Sequence, residues 1–117
     1  MGHYDCPCME KCPLHYAMNM IGGKWKVQIV CALVNAGALR YNALRAKLDG
    51  VSNTVLASAL RELEADGLVV RTVYPESPVR VEYSPTADCC ALLPILEQLS
   101  DWAEERMRRT DAESPNA

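Results

Sequence analysis

Apolar residues recur along most of this chain with the 3.6-residue period of a helix, and in one stretch the period drops to two. Leu14, Ala17, Met18 and Ile21 stand at i, i+3, i+4 and i+7 and predict a short first helix, opened by Pro13 in its first turn. Gly22-Gly23 interrupts it. A second helix is expected from Lys24, with Trp25, Ile29 and Leu33 on one stripe, Val30 and Val34 beside it, and Asn35-Ala36-Gly37 at its end. Ala38 to Arg40 reads as a short strand. A third helix from Tyr41 to Leu48 turns Tyr41, Leu44 and Leu48 inward, and Asp49-Gly50 forms a turn. Ser52 then occupies the N-cap position of a fourth helix whose Leu56, Leu60 and Leu63 face inward and which stops at Asp66-Gly67. Two helices joined by a tight glycine-containing turn predict a helix-turn-helix.

The change of period follows directly. Leu68 to Tyr74 is rich in β-branched residues, and Val81 and Tyr83 alternate with Arg80, Glu82 and Ser84. Pro75-Glu76-Ser77-Pro78 between them reads as a hairpin tip, where no ladder N–H is needed. The order predicts a mainly α fold with a small β-hairpin wing, a winged helix-turn-helix. The last helix is expected over Ala87–Arg109, with Cys89, Leu92, Leu96, Leu99 and Ala103 near heptad spacing and Leu93 and Trp102 flanking them. Pro94 either kinks it or marks its true first turn. So apolar a stripe needs cover, and a second subunit is the simplest, so Leu92, Leu96, Leu99, Trp102 and Ala103 are the expected dimer-interface residues. The chain divides into a cysteine-containing arm (1–12), the winged domain (13–109) and a flexible tail (110–117).

Composition narrows the class. With 117 residues, half of them hydrophobic, the chain holds one domain with a real core, which excludes gross disorder. No run approaches the roughly 20 apolar residues of a membrane span. The opening MGHYDCPCMEKCP lacks the apolar segment of a secretory signal, so no membrane partner and a cytoplasmic protein are expected. Six cysteines raise the possibility of a disulfide scaffold. The missing signal and the place of Cys31 within an apolar helical stripe favour reduced thiols instead. The formal charge of −3 argues against nucleic acid only until it is divided along the chain. Residues 24–83 carry eight basic and six acidic side chains, whereas residues 84–117 carry seven acidic and three basic. A mildly basic centre and an acidic end suit a DNA-reading module followed by a partner-facing helix.

The candidate chemistry lies in two places. On the fourth helix, Ser52, Asn53, Thr54, Ala57, Ser58 and Arg61 form the outward face; Asn, Ser and Thr can hydrogen-bond base edges, and a small Ala can meet a thymine methyl. Lys24, Lys26, Arg40, Arg45 and Arg80 are candidates for phosphate contact, the last on the wing. The competing reading of these groups is an ordinary solvated surface. Trp25 reads as core. Gly23-Lys24 lacks the upstream glycine and the following Ser or Thr of a phosphate loop. The second place is Cys12, just ahead of a helix start and beside Lys11, where dipole and charge both favour thiolate; the alternative is an inert buried thiol. Cys6, Cys8 and Cys12 with His3 or His15 could supply zinc donors, but C-x-C-x3-C is not a standard zinc spacing, and neither metal nor cofactor is expected. Cys89 and Cys90 read as packing residues, with pairing to an N-terminal cysteine of another subunit as the alternative.

Taken together, Cys12-Pro13, Ile21-Gly22-Gly23-Lys24-Trp25-Lys26, Leu60-Arg61-Glu62-Leu63-Glu64-Ala65-Asp66-Gly67-Leu68-Val69, Arg71-Thr72-Val73-Tyr74-Pro75-Glu76 and Arg80-Val81-Glu82-Tyr83-Ser84 strongly resemble the HxlR-type winged helix-turn-helix regulators over about residues 12–103. The resemblance implies a homodimeric transcription factor on double-stranded DNA, joined through its first and last helices. It also implies a redox-sensing thiol at Cys12, answering a small-molecule effector such as an oxidant, electrophile or aldehyde. The chain departs from the family in two ways. Pro85-Thr86-Ala87-Asp88-Cys89-Cys90 replaces the usual Leu-Thr-x-x-Gly, and Cys6 and Cys8 are additional. The main rival is a winged helix used only as a protein-interaction module. A thiol enzyme is disfavoured, because there is no C-x-x-C and no organised His–Cys pair.

Overall fold

In the computed structural model, which describes residues 12–113, the elements run α1 (Pro13–Ile21), α2 (Lys26–Ala36), β1 (Leu39–Arg40), α3 (Tyr41–Ala46), α4 (Asn53–Ala65), β2 (Val69–Tyr74), β3 (Arg80–Pro85), α5 (Ala87–Ala91) and α6 (Leu93–Glu113). The strands form an antiparallel sheet in the order β1-β3-β2. Leu39 stands opposite Tyr83 and Arg40 opposite Glu82, while the hairpin pairs Val69 with Pro85 and Tyr74 with Arg80. This is the mainly helical, winged architecture that the hydrophobic pattern predicts.

One stripe from each central helix makes the core. Ile29 and Leu33 of α2, Leu44 of α3, and Leu56, Leu60 and Leu63 of α4 are fully buried, joined by Leu48, Val51, Leu68, Val69, Tyr83, Cys89 and Leu96. Each such aliphatic side chain contributes about 1.5–3 kcal/mol by leaving water. The result is a rigid block that holds α4 from behind.

Several boundaries differ from the sequence reading, each for a local reason. The second helix starts at Lys26, because Lys24 and Trp25 form a turn in which the Gln28 side chain donates to the Lys24 carbonyl at 2.9 Å. The third ends at Ala46, yet Leu48 stays buried through a tight turn in which its N–H donates to the Arg45 carbonyl at 3.0 Å. The last helix is two helices. Pro94 is the second residue of α6, in the first turn, where its missing N–H costs no helical bond, so it marks a start rather than a kink. Thr86 caps α5, accepting from Cys89 N–H at 3.2 Å and donating to the Gly67 carbonyl at 2.7 Å. Thr86 thus ties α5 to the residues that follow α4, its N–H also donating to the Leu68 carbonyl at 3.0 Å, despite the unusual residues around it. At its far end α6 runs past Arg109 to Glu113, helped by Glu105 pairing with Arg108 and, at 4.0 Å, with Arg109.

The first helix departs most. Of its four apolar positions only Ile21 is buried, while Leu14 and Met18 are 55% and 50% exposed. The part of its apolar face that carries Leu14 and Met18 is therefore not turned into the core of its own chain.

Two glycines close the α1–α2 turn for different reasons. A Cβ on Gly22 would collide with the Met18 carbonyl oxygen, which accepts the Gly22 N–H at 2.6 Å and ends α1. Gly23 has a φ of +96°, in the region that side chains disfavour. Gly23→Ala is expected to cost about 1–2 kcal/mol. Urea unfolding should show a lower midpoint with an unchanged slope.

Candidate nucleic-acid interface

The α3–α4 unit is built to present one end of α4. The Ser52 side chain accepts from Val55 N–H at 3.1 Å, satisfying one of the orphan donors of the first turn. With Leu56, Ala59, Leu60 and Leu63 buried, Ser52, Asn53, Thr54 and Arg61 are exposed, and Ala57 and Ser58 are half-buried. Tyr41, predicted to face inward, is half-buried and sends its hydroxyl to the start of α4. There it donates to both the backbone carbonyl and the Oδ1 of Asn53, each at 3.2 Å. With Oδ1 engaged, the Asn53 carboxamide offers its N–H donors outward. Sequence reasoning missed this role, and the one available signal was a hydroxyl at an inward position, which requires a partner.

Around this end of α4 lie two shallow grooves. One, about 690 Å³, is lined by Asn42, Arg45, Asp49, Gly50 and Ser52 at the helix-helix turn. The other, about 340 Å³, gathers Lys24, Trp25 and Lys26 against Thr54, Val55, Ser58 and Glu62. Val55, 41% exposed, is an apolar group on α4 that the inward–outward pattern did not single out.

The cations are not equivalent. Arg40 and Arg45 are exposed at the two ends of α3. Lys24 is exposed and lies 4.7 Å from the centre of the Trp25 ring. Lys26, by contrast, is committed to a partner on α4. Its Nζ lies 2.6 Å from Glu62, and its side chain is only 14% exposed. That hydrogen bond and charge hold the Glu62 carboxyl below the usual range, with a further bond from Ser58 at 3.5 Å. Arg80 is committed too, to Glu76 at 2.8 Å and Glu82 at 2.7 Å.

The described cysteines differ in access: Cys12 and Cys89 are buried, Cys31 is half-buried and Cys90 is exposed. Cys12 is the N-cap of α1, ahead of Pro13, and its carbonyl accepts from Tyr16 N–H at 3.0 Å. Burial pushes the Cys31 thiol up. Burial, with the neighbouring Cys90 and Cys31, pushes Cys89 up to about 11. Cys6, Cys8 and His3 lie outside the described residues. Among the described residues no three His, Cys, Asp or Glu side chains cluster to hold a metal ion. No described helix is long and apolar enough to cross a membrane.

Of the expected interface residues, Leu96 is buried in the core of its own chain and Leu92 packs against that core. Leu99 and Trp102 are 58% and 62% exposed, Ala103 is half-buried, and Ile95 and Met107 are exposed nearby. The radius of gyration is 17.3 Å, against about 13 Å for a compact chain of this length.

A buried helical core, a capped α4 and a hairpin beside it define a winged helix-turn-helix protein. The model of the HxlR-like helix-turn-helix family matches residues 20–111, and the chain belongs to that family of transcriptional regulators. An uncharacterised helix-turn-helix transcriptional regulator of Halalkalibacterium halodurans is 43% identical over 94 residues, 80% of this chain and 83% of its own length. YvaP of Bacillus subtilis, described in the same terms, is 43% identical over 100 residues, 86% of this chain and 87% of its own. The redox regulator HypR in its reduced form superimposes with a TM-score of 0.78 at 36% identity, covering 86% of this chain and 98% of that one. The reduced form of the transcriptional regulator YodB from B. subtilis does so at 0.73 and 32%, covering 80% and 92%. These relatives are regulators rather than enzymes.

Proposed function

We propose that the chain is a cytoplasmic homodimer that binds specific double-stranded DNA sites, with α4 in the major groove, and that a thiol at Cys12 gates this binding. The observation that carries the DNA reading is the capped start of α4. Asn53 and Thr54 are exposed there, on a helix immobilised by Leu56, Leu60 and Leu63. Residues at the start of a recognition helix are the ones that reach base edges. Asn53, with Oδ1 held by Tyr41, donates to an acceptor such as guanine O6 or N7 or thymine O4. Thr54 reads beside it, and Val55 and Ala57 offer apolar contact for a thymine methyl. Arg40, Arg45 and Lys24 take phosphates, whereas Lys26 is drawn off by Glu62.

The uncovered apolar residues of α1 and α6 supply the second half of the reading. A two-fold dimer through these helices sets two copies of α4 roughly 34 Å apart, one helical turn of DNA. The effector class is an oxidant, electrophile or aldehyde, supported by the likeness to the redox regulator HypR.

Binding to genomic fragments and to bulk DNA, titrated against salt, tests this reading. Asn53→Ala and Thr54→Ala should each erode discrimination between operator and bulk DNA by about 1 kcal/mol, the scale of a single hydrogen bond rather than a bidentate pair. Arg45→Gln should weaken both kinds of site and reduce the salt slope by about one for each subunit. A wild-type chain without salt-sensitive affinity for DNA would identify a protein-interaction module instead.

A further inference from the structure

The wing carries a charge cluster that the DNA reading leaves unused. Arg80, at the start of β3, donates from Nε to Glu76 at 3.3 Å and from Nη2 to the same carboxylate at 2.8 Å. Its Nη1 donates to Glu82 at 2.7 Å. The guanidinium also lies over the ring of Tyr74, its cross-strand partner, 3.7 Å from the ring centre. Its side chain is 24% exposed. One arginine thus absorbs two carboxylates and a ring face at once.

A second cation, one of those assigned above to phosphate, stands close by. Arg40 on β1 is directly opposite Glu82 on β3, and its charge also reaches Glu76. It is exposed, and among the described residues it forms no ion pair within 4.0 Å. Side chains directly opposite in an antiparallel pair are about 5 Å apart at Cβ, so Arg40 is within reach of Glu82.

We propose that Arg80 is a positioning residue for DNA binding: by holding Glu76 and Glu82 it leaves Arg40 free for the phosphate backbone, and it does not itself touch DNA. The inference rests on the DNA reading above. Recruiting Arg80 to a phosphate would break three charge-assisted hydrogen bonds and a stack, whereas recruiting Arg40 breaks none. Without Arg80, two carboxylates would face Arg40 and draw it away from the DNA, and their own charge would oppose the approaching phosphates.

Salt titrations on sheared bulk DNA decide the point through a cycle of variants. Arg80→Gln should weaken binding at 0.1 M salt by about tenfold for each subunit and lower the salt slope by about one for each, the signature of one lost phosphate contact. In a Glu76→Gln/Glu82→Gln background the same Arg80→Gln change should alter affinity by no more than about twofold and leave the slope alone, because there is nothing left to neutralise. Such a rescue also excludes misfolding as the cause of the single-variant loss. If Arg80→Gln costs as much without the carboxylates as with them, Arg80 is itself a phosphate ligand and the inference fails. If it costs nothing in either background, the carboxylates do not compete for Arg40, and the inference again fails. A wild-type chain that does not bind bulk DNA overturns the DNA reading and this inference together, and is recognised because the wild type itself is silent.

Discussion

Replacing Leu99 and Trp102 together by aspartate is expected to give a monomer at micromolar concentration and to weaken operator binding by about 10²–10⁴-fold. The size follows from linkage. In a dimer the second recognition helix meets its half-site at the effective concentration set by the first, and avidity of this kind exceeds the single-site affinity by about 10²–10⁴. The choice of residues matters. Leu96 lies on the same stripe, but it is 8% exposed and belongs to the core of its own chain, so an aspartate there would damage the fold and report nothing about pairing. Leu99 and Trp102 are more than half exposed, so two buried charges appear only if a partner covers them. Sedimentation measures the assembly, and far-UV circular dichroism should be unchanged. Weak binding to bulk DNA should persist, because α4 is untouched. A variant that still sediments as a dimer, or a monomer with wild-type operator affinity, would refute pairing through α6.

The legible parts of this fold are those with local causes. α4 could be read almost residue by residue, because Ser52 caps it, its leucines repeat with the helical period, and Asp66-Gly67 ends it. The hairpin was legible for the same reason, through alternation and a proline-rich tip. The apolar stripes of α1 and α6 were equally visible, but a stripe records only that a face is covered and not by what. Thus Leu14, Met18 and Leu99 share the pattern of Ile21 and Leu96, yet the first three are exposed in the single chain and the last two are core. The far end of α6 escaped the pattern because Thr110 and Asp111 are exposed and polar and add no apolar position to the stripe.

Charges were countable but their partners were not. Lys26 and Arg80 read like Arg40 and Arg45 in a list of basic residues. Arg80 meets Glu82 two residues along the same strand and Glu76 across the hairpin tip, whereas the Lys26–Glu62 pair arises from α2 packing on α4, which is not written in local sequence. The same holds for Tyr41, whose hydroxyl finds Asn53 only once α3 and α4 are set by their buried leucines.

Modification of Cys12 by an electrophile is expected to abolish operator binding, and Cys12→Ser is expected to make the protein indifferent to the same reagent. Cys12 stands at the N-cap position of α1, at the positive end of the helix dipole, the setting in which a thiol is most readily activated. It is also only 6% exposed, so an adduct has no room unless the start of α1 moves. That helix carries Leu14, Tyr16 and Met18, the exposed residues through which the dimer is proposed to form. Displacing it would change the separation of the two α4 helices, and a pair of sites one DNA turn apart tolerates little change. Burial also revises the order of labelling. Exposed Cys90 should react early and without consequence, and Cys31, pushed up by burial, should lag. Cys89, pushed up to about 11, should hardly react at neutral pH, where only about one thiol in ten thousand is ionised. Raising the pH to recruit Cys89 is no remedy. The fold favours its protonated form, so the stability it contributes is present below the ordinary thiol value of 9.0 and is lost as pH climbs towards about 11. Peptide mapping at about pH 7–8, sampled alongside operator affinity, should therefore show affinity unchanged while Cys90 labels and falling in step with Cys12. Loss of binding with Cys12 unlabelled, or a Cys12→Ser protein that responds as wild type does, would end the sensor reading. The DNA reading would stand, because it depends on Asn53, Thr54 and the arginines around them rather than on any thiol.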